Sequence, residues 1–135
     1  MTNHDSGENL LKDAEVYYEE MQRMFEKEKW NIVVRRAQEV VELSLKGILK
    51  IMGIDFPKVH NVAPLFVNLL REKGIELGKK VYERILSISL LLAKDRAPAF
   101  YGEKVYSREE AEIAQKGAKE IVESINEIKA RLSKK

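Results

Sequence analysis

Apolar residues recur at three- and four-residue steps through almost the whole chain, and no stretch sustains the every-second-residue alternation that a half-buried strand needs. Side chains return to the same side of an α-helix about every 3.6 residues, so only helices gather these positions onto common faces. The spacing predicts a first helix from about Asn9 to Glu26, after a flexible tail of residues 1–8, with Leu11, Ala14, Tyr17, Tyr18, Met21, Met24 and Phe25 inward. A second helix is predicted from near Lys29 to Gly53. Its broad inward face carries Trp30, Val33, Val34, Ala37, Val40, Val41, Ser44, Ile48, Leu49 and Met52, and Gly53 is placed to close it in the left-handed conformation.

Pro57 lacks an amide proton and pushes Phe56 toward an extended conformation, so Ile54 to His60 reads as a loop. Asn61 is expected to cap a short third helix with Leu65, Phe66, Leu69 and Leu70 inward and Gly74 just past its end. A fourth helix, from about Leu77 to Lys94, carries Val81, Ile85, Ile88 and Leu92. Leu86, Leu90 and Leu91 widen its apolar face, which suits a central or interface helix. Pro98 and Gly102 interrupt the pattern between Asp95 and Tyr106. Ser107 and Glu110 have the spacing of a capping box, and open a last helix with Ala111, Ala114, Ala118, Ile121, Val122, Ile125, Ile128 and Leu132 inward. Four to five helices joined by short loops bury their stripes most simply as an up-and-down bundle, so residues 1–135 are read as one all-α domain.

Several kinds of chemistry are excluded by what the chain contains. There is no Cys, which removes disulfides, thiolate nucleophiles and Cys-based metal centres. Lys and Arg number 24 against 22 Asp and Glu, a formal net charge of +2, so no one-signed surface announces a nucleic-acid binder. No apolar run approaches the roughly 20 residues of a membrane span, and Met1 to Glu8 lack the order of a secretory signal, which makes a cytoplasmic protein the expectation. A di-metal bundle needs Glu-x-x-His pairs on facing helices, whereas the histidines here are His4 and His60 alone, so no metal site is expected. Glycine occurs singly at helix ends and not in a phosphate loop or dinucleotide fingerprint, so no cofactor is expected either.

The polar positions that remain each have two readings. Arg35, Glu39, Glu42 and Lys46 stack on one face of the second helix, either as a solvated row of helix ion pairs or as the lining of a groove. His60 either bonds a loop carbonyl or the start of the third helix, or joins Lys58 in contacting phosphate. Arg96 follows a strongly apolar helix just before Pro98; it either caps that helix or pairs with Asp95, or makes forked contacts to phosphate or carboxylate.

Taken together, Glu28-Lys29-Trp30, then Ala37 through Lys46, then Pro57-Lys58-Val59-His60, then Asp95 through Tyr101, and finally Tyr106 through Ala111 resemble, in order and spacing, the HEPN domains. The resemblance spans nearly the whole chain and implies a compact helical bundle like the substrate-binding subunits of nucleotidyltransferases, usually dimeric. One group of the family is a metal-independent ribonuclease, with an Arg separated by four to six residues from a His. Arg96 matches the Arg, but Tyr101, Gly102 and Glu103 stand at the allowed distances. The chain looks more like the group without that pair. This implies association with nucleotide or RNA and with a minimal nucleotidyltransferase partner in a toxin–antitoxin-like module. Arg96 and Lys58 would contact phosphate, Tyr101 would stack on a base, and His60 would join them. The alternatives are a divergent ribonuclease acting through Arg96 with Tyr101 or His60, and a helical adaptor whose fourth helix pairs subunits without a small ligand.

Overall fold

The structure, a computed structural model, describes residues 2–94 and 104–133. Among these residues there are five helices and no strand: α1 (Asn3–Glu26), α2 (Trp30–Ile51), α3 (Ala63–Glu72), α4 (Lys79–Lys94) and α5 (Arg108–Ser133). None of them is long and apolar enough to cross a membrane.

The first helix begins earlier than its apolar pattern implies, and residues 3–8 belong to it instead of forming a tail. Thr2 and Asp5 form a capping box, with the Thr2 hydroxyl accepting from the Asp5 amide at 3.1 Å and the Asp5 carboxylate accepting from the Thr2 amide at 3.2 Å. Gly7 reads as a helix breaker in isolation. In the fold it is buried against Gly47 of α2, where neither residue has a side chain to hold the helices apart.

Residues 27–29 turn the chain so that α1 and α2 run antiparallel. Gly7 lies beside Gly47, Glu20 pairs with Arg36 at 2.9 Å, and Phe25 meets Trp30 edge-on at 5.1 Å between centroids. The turn places Glu28 at φ 59°, where a Cβ is disfavoured by roughly 1 kcal/mol. Its pair with Arg108, at 3.8 Å and largely exposed, offsets little of that cost. Glu28→Gly is therefore expected to raise the unfolding free energy by about 0.5–1 kcal/mol in urea denaturation. A lower value would show that the Arg108 contact outweighs the backbone strain.

The helix at the centre is α2 and not α4, since α2 touches each of the other four. Its buried positions run from Val33 to Leu49 and include Gln38, Leu45 and Gly47 beyond the predicted face. Helix α5 lies antiparallel to α1, as Glu8 with Lys129 and Phe25 under Arg108 fix the two ends. It also lies antiparallel to α4, where Ile88 faces Gly117. Thus α1, α2, α4 and α5 make the expected up-and-down bundle, and α3 is a short brace between α2 and α4. Ile85, Ile88 and Leu92 of α4 are buried, while Leu90 and Leu91 are exposed. Tyr82, buried and missed by the periodicity, donates its hydroxyl to the Ile75 carbonyl and lies 5.0 Å below the Arg71 guanidinium.

Arg84 ties α4 to α5 by donating to both oxygens of Glu120 at 2.9 and 2.8 Å, and these bonds hold the Glu120 carboxyl below its ordinary range. A carboxyl depressed in the folded state contributes stability above its unfolded pKa of about 4.3, and that contribution is lost as pH falls through the folded value. Both side chains are half exposed, so the contribution is small. Urea midpoints of the native protein and Glu120→Gln should differ at neutral pH and converge as pH falls through the depressed folded value of Glu120. A gap independent of pH would refute the pairing.

Candidate functional site

Gln38, Glu42 and Lys46 succeed one another at one-turn spacing along α2. The loop after α2 brings His60 to this row. Gly53 takes φ 75° as predicted, and the Ile54 amide closes back on the Leu49 carbonyl at 2.9 Å. Val59 then bonds the Pro57 carbonyl at 2.8 Å. Asn61 stands one residue before the N-cap position of α3 instead of at it. Its side-chain oxygen accepts from the Ala63 amide at 3.2 Å and from the buried Ser89 hydroxyl of α4 at 2.6 Å, pinning loop, α3 and α4 together.

Glu42 joins the pieces. One oxygen accepts from Lys46 Nζ at 2.8 Å and the other lies 3.0 Å from His60 Nδ1. A carboxylate oxygen only accepts, so Nδ1 carries the proton and Nε2 is the nitrogen turned to other partners. Glu42 and Lys46 are 15% and 14% exposed while His60 is 59% exposed, so a sheltered carboxylate holds an accessible imidazole. Phe56 of the same loop, half buried, has Lys46 Nζ 5.5 Å and Lys50 Nζ 5.8 Å from its ring centroid. Beneath these groups Gln38, Glu42, His60 and Ser89, with Val41, Leu92 and Ala93, line a recess of about 10 Å³. That is room for one water-sized group. Gln38 is 5% exposed, and its amide nitrogen is buried with no hydrogen-bond partner among the described residues.

At the other end of α2, Asn31 clamps the backbone that leads into α5. Its amide donates to the Lys104 carbonyl at 2.7 Å and its oxygen accepts from the Tyr106 amide at 2.9 Å. The Ser107–Glu110 capping box then starts α5 as expected, with both bonds at 3.1 Å.

Of the four residues singled out from the sequence, Lys58 and His60 share the loop beside Glu42, with Lys58 exposed. Arg96 and Tyr101 lie outside the described residues. The partner of His60 is neither a loop carbonyl nor the start of α3 but a helix carboxylate 18 positions earlier. In the charged row of α2, Glu42 pairs with Lys46 as the spacing allows. Glu39, however, pairs with Arg36 at 2.8 Å, and Arg36 also reaches Glu20 across the hairpin. Gln38 and Ser89 had no local signature that separated them from ordinary polar positions, and Asn61 was legible only as a helix cap. Among the described residues no three His, Asp or Glu side chains gather as a metal-binding group.

Comparison with curated proteins and with solved structures gives no match. A family model for the HEPN domain matches residues 8–128, a span that holds the whole of α2, α3 and α4 and every residue of the recess. A HEPN domain points to nucleotide- or RNA-related function. With all but the two ends of the chain matched and an all-helical bundle as its fold, the chain belongs to the HEPN family.

Proposed function

We propose that this HEPN protein is a non-catalytic, cytoplasmic homodimer that associates with nucleotide or RNA and with a minimal nucleotidyltransferase, as one half of a toxin–antitoxin-like module. The observation that carries the reading is Glu42, which draws Lys46 and His60 onto one carboxylate beside the last turn of α4. Arg96 follows that helix by two positions and Tyr101 by seven, so cations for phosphate and a ring for a base belong to the same stretch of chain. Tyr101, Gly102 and Glu103, where the ribonuclease group has its His, favour binding over catalysis. The test is titration calorimetry with a nucleotide panel and a single-stranded oligoribonucleotide, together with co-purification of the product of the adjacent gene. Saturable binding that weakens in Arg96→Ala and Lys58→Ala supports the reading, and blank results in both experiments reject it.

The Glu42–His60 pair favours one second reading, a divergent ribonuclease. An imidazole held at Nδ1 by a carboxylate presents Nε2 as an acid or base. Cleavage of RNA by the purified protein, abolished by both Arg96→Ala and His60→Ala, would support it. Cleavage that survives both changes would come from a contaminant.

A further inference from the structure

We infer that a second copy of this chain docks on the cleft between α4 and α5, with α5 pairing antiparallel to α5 of its partner about a two-fold axis at Ile113. The inference rests on the homodimer proposed above and assigns the surface that forms it.

Leu90, Leu91 and Ile113 keep 51%, 46% and 57% of their surface in water, although each stands on a helix of the bundle. Leu91 and Ile113 line one cleft of about 250 Å³, together with Ile88, Leu92 and Gly117. Gly117 brings no side chain to fill it, and a Cβ there would stand 3.0 Å from Ile88. Because Ile88 faces Gly117 and the helices are antiparallel, Leu91, a turn farther along α4, stands level with Ile113, a turn farther back on α5. At the other end of the cleft Arg84 and Glu120 bond each other through both carboxylate oxygens, so their charges are spent. Half-exposed apolar side chains with few convergent polar groups suit a protein surface better than a small polar ligand.

The charges say which protein. Glu109, Ile113 and Lys116 recur at steps of four and three, which sets them in a stripe on one side of α5. All three are exposed, and among the described residues the side chains of Glu109 and Lys116 have no hydrogen-bond or ion-pair partner. The stripe runs acid, apolar, base, an order that complements itself when reversed. With Ile113 against the partner's Ile113, antiparallel helices bring Glu109 to the partner's Lys116 and Lys116 to the partner's Glu109, since the two lie at nearly equal distances on opposite sides of the axis. A parallel pairing would oppose like charges, so the stripe selects the antiparallel one. Under two-fold symmetry a single surface serves both copies and each ion pair forms twice. Both Leu91 side chains flank the two Ile113 side chains at the axis, which gives an apolar centre inside a charged rim, the usual anatomy of a protein interface.

The test is sedimentation of the full-length protein with charge changes that can rescue one another. Glu109→Lys and Lys116→Glu are each expected to raise the dimer dissociation constant at least about tenfold, because two attractions become two repulsions. The protein carrying both changes has the pairs restored with their signs exchanged, and is expected to return to near the native value. Since the chain has no Cys, Ile113→Cys supplies a lone thiol at the axis, and mild oxidation should join two copies through it. Val16→Cys, comparably exposed but on α1, should stay unlinked under the same conditions. The thiol experiment does not depend on the charged variants folding. A dimer indifferent to the single charge changes, one that the double change does not restore, or linkage of Ile113→Cys no faster than that of Val16→Cys would overturn the assigned surface and leave the homodimer standing. A native protein that sediments as a monomer at every accessible concentration would overturn both.

Discussion

Phe66→Ala should lower the unfolding free energy by about 3–5 kcal/mol, the range for deleting a fully buried aromatic ring. Phe66 has no exposed surface, and it lies on a helix of ten residues that is too short to persist by itself in water. The stability of α3 is therefore borrowed from Ala63, Phe66, Val67 and Leu70, all buried against the bundle. Loss of the ring also loosens what α3 holds in place. The Asn61 oxygen bonds the first residue of α3 and Ser89 of α4, and the adjacent His60 reaches Glu42. A single substitution remote from the recess should thus weaken the proposed nucleotide association as well as stability. Urea denaturation measures the first effect and calorimetry the second. A stability loss below about 1 kcal/mol would mean that α3 is not docked through this ring.

Gly7→Ala is the second large effect, and here two physical arguments give opposite signs. Helix propensity alone favours Ala over Gly in a helix by about 1 kcal/mol. At this position, however, a Cβ would stand 2.6 Å from the Gly47 carbonyl oxygen and 2.8 Å from the Ile51 amide nitrogen. Both are backbone atoms, so relief requires α1 and α2 to separate. Overpacking of this kind typically costs about 1–3 kcal/mol, and the net effect is expected to be destabilising. Gly47→Ala is a useful comparison, because its nearest contacts are the Leu11 side chain at 2.7 and 2.9 Å, which can move, with the Gly7 carbonyl oxygen farther away at 3.1 Å. It should cost less. A Gly7→Ala protein more stable than the native one would refute the close approach of the two helices.

Much of this molecule was legible from spacing and residue type alone, for reasons particular elements make clear. The all-α class, the buried faces of α1, α2 and α5, the left-handed Gly53 and the Ser107–Glu110 capping box all depend on residues within a few positions of one another. Local backbone geometry is enough to specify them. The start of α1 was less legible and residues 1–8 read as a tail, because the place of Gly7 in the helix depends on Gly47, forty residues away. Locality also left α4 open between a central and an interface helix, since Leu90 and Leu91 are as apolar as buried leucines and only packing reveals that they face outward.

The site divides in the same way. Lys58, His60 and Arg96 stood out by residue type and by their place beside proline-broken loops, and Tyr101 through the family resemblance. That Glu42 holds His60, that Ser89 lines the recess and bonds Asn61, and that the Gln38 amide nitrogen is buried without a partner among the described residues were decided by which faces of α2, α4 and the loop meet. Periodicity tells a helix which side to bury; it carries no record of what will be waiting on that side, because contacts between helices join residues that the chain keeps far apart.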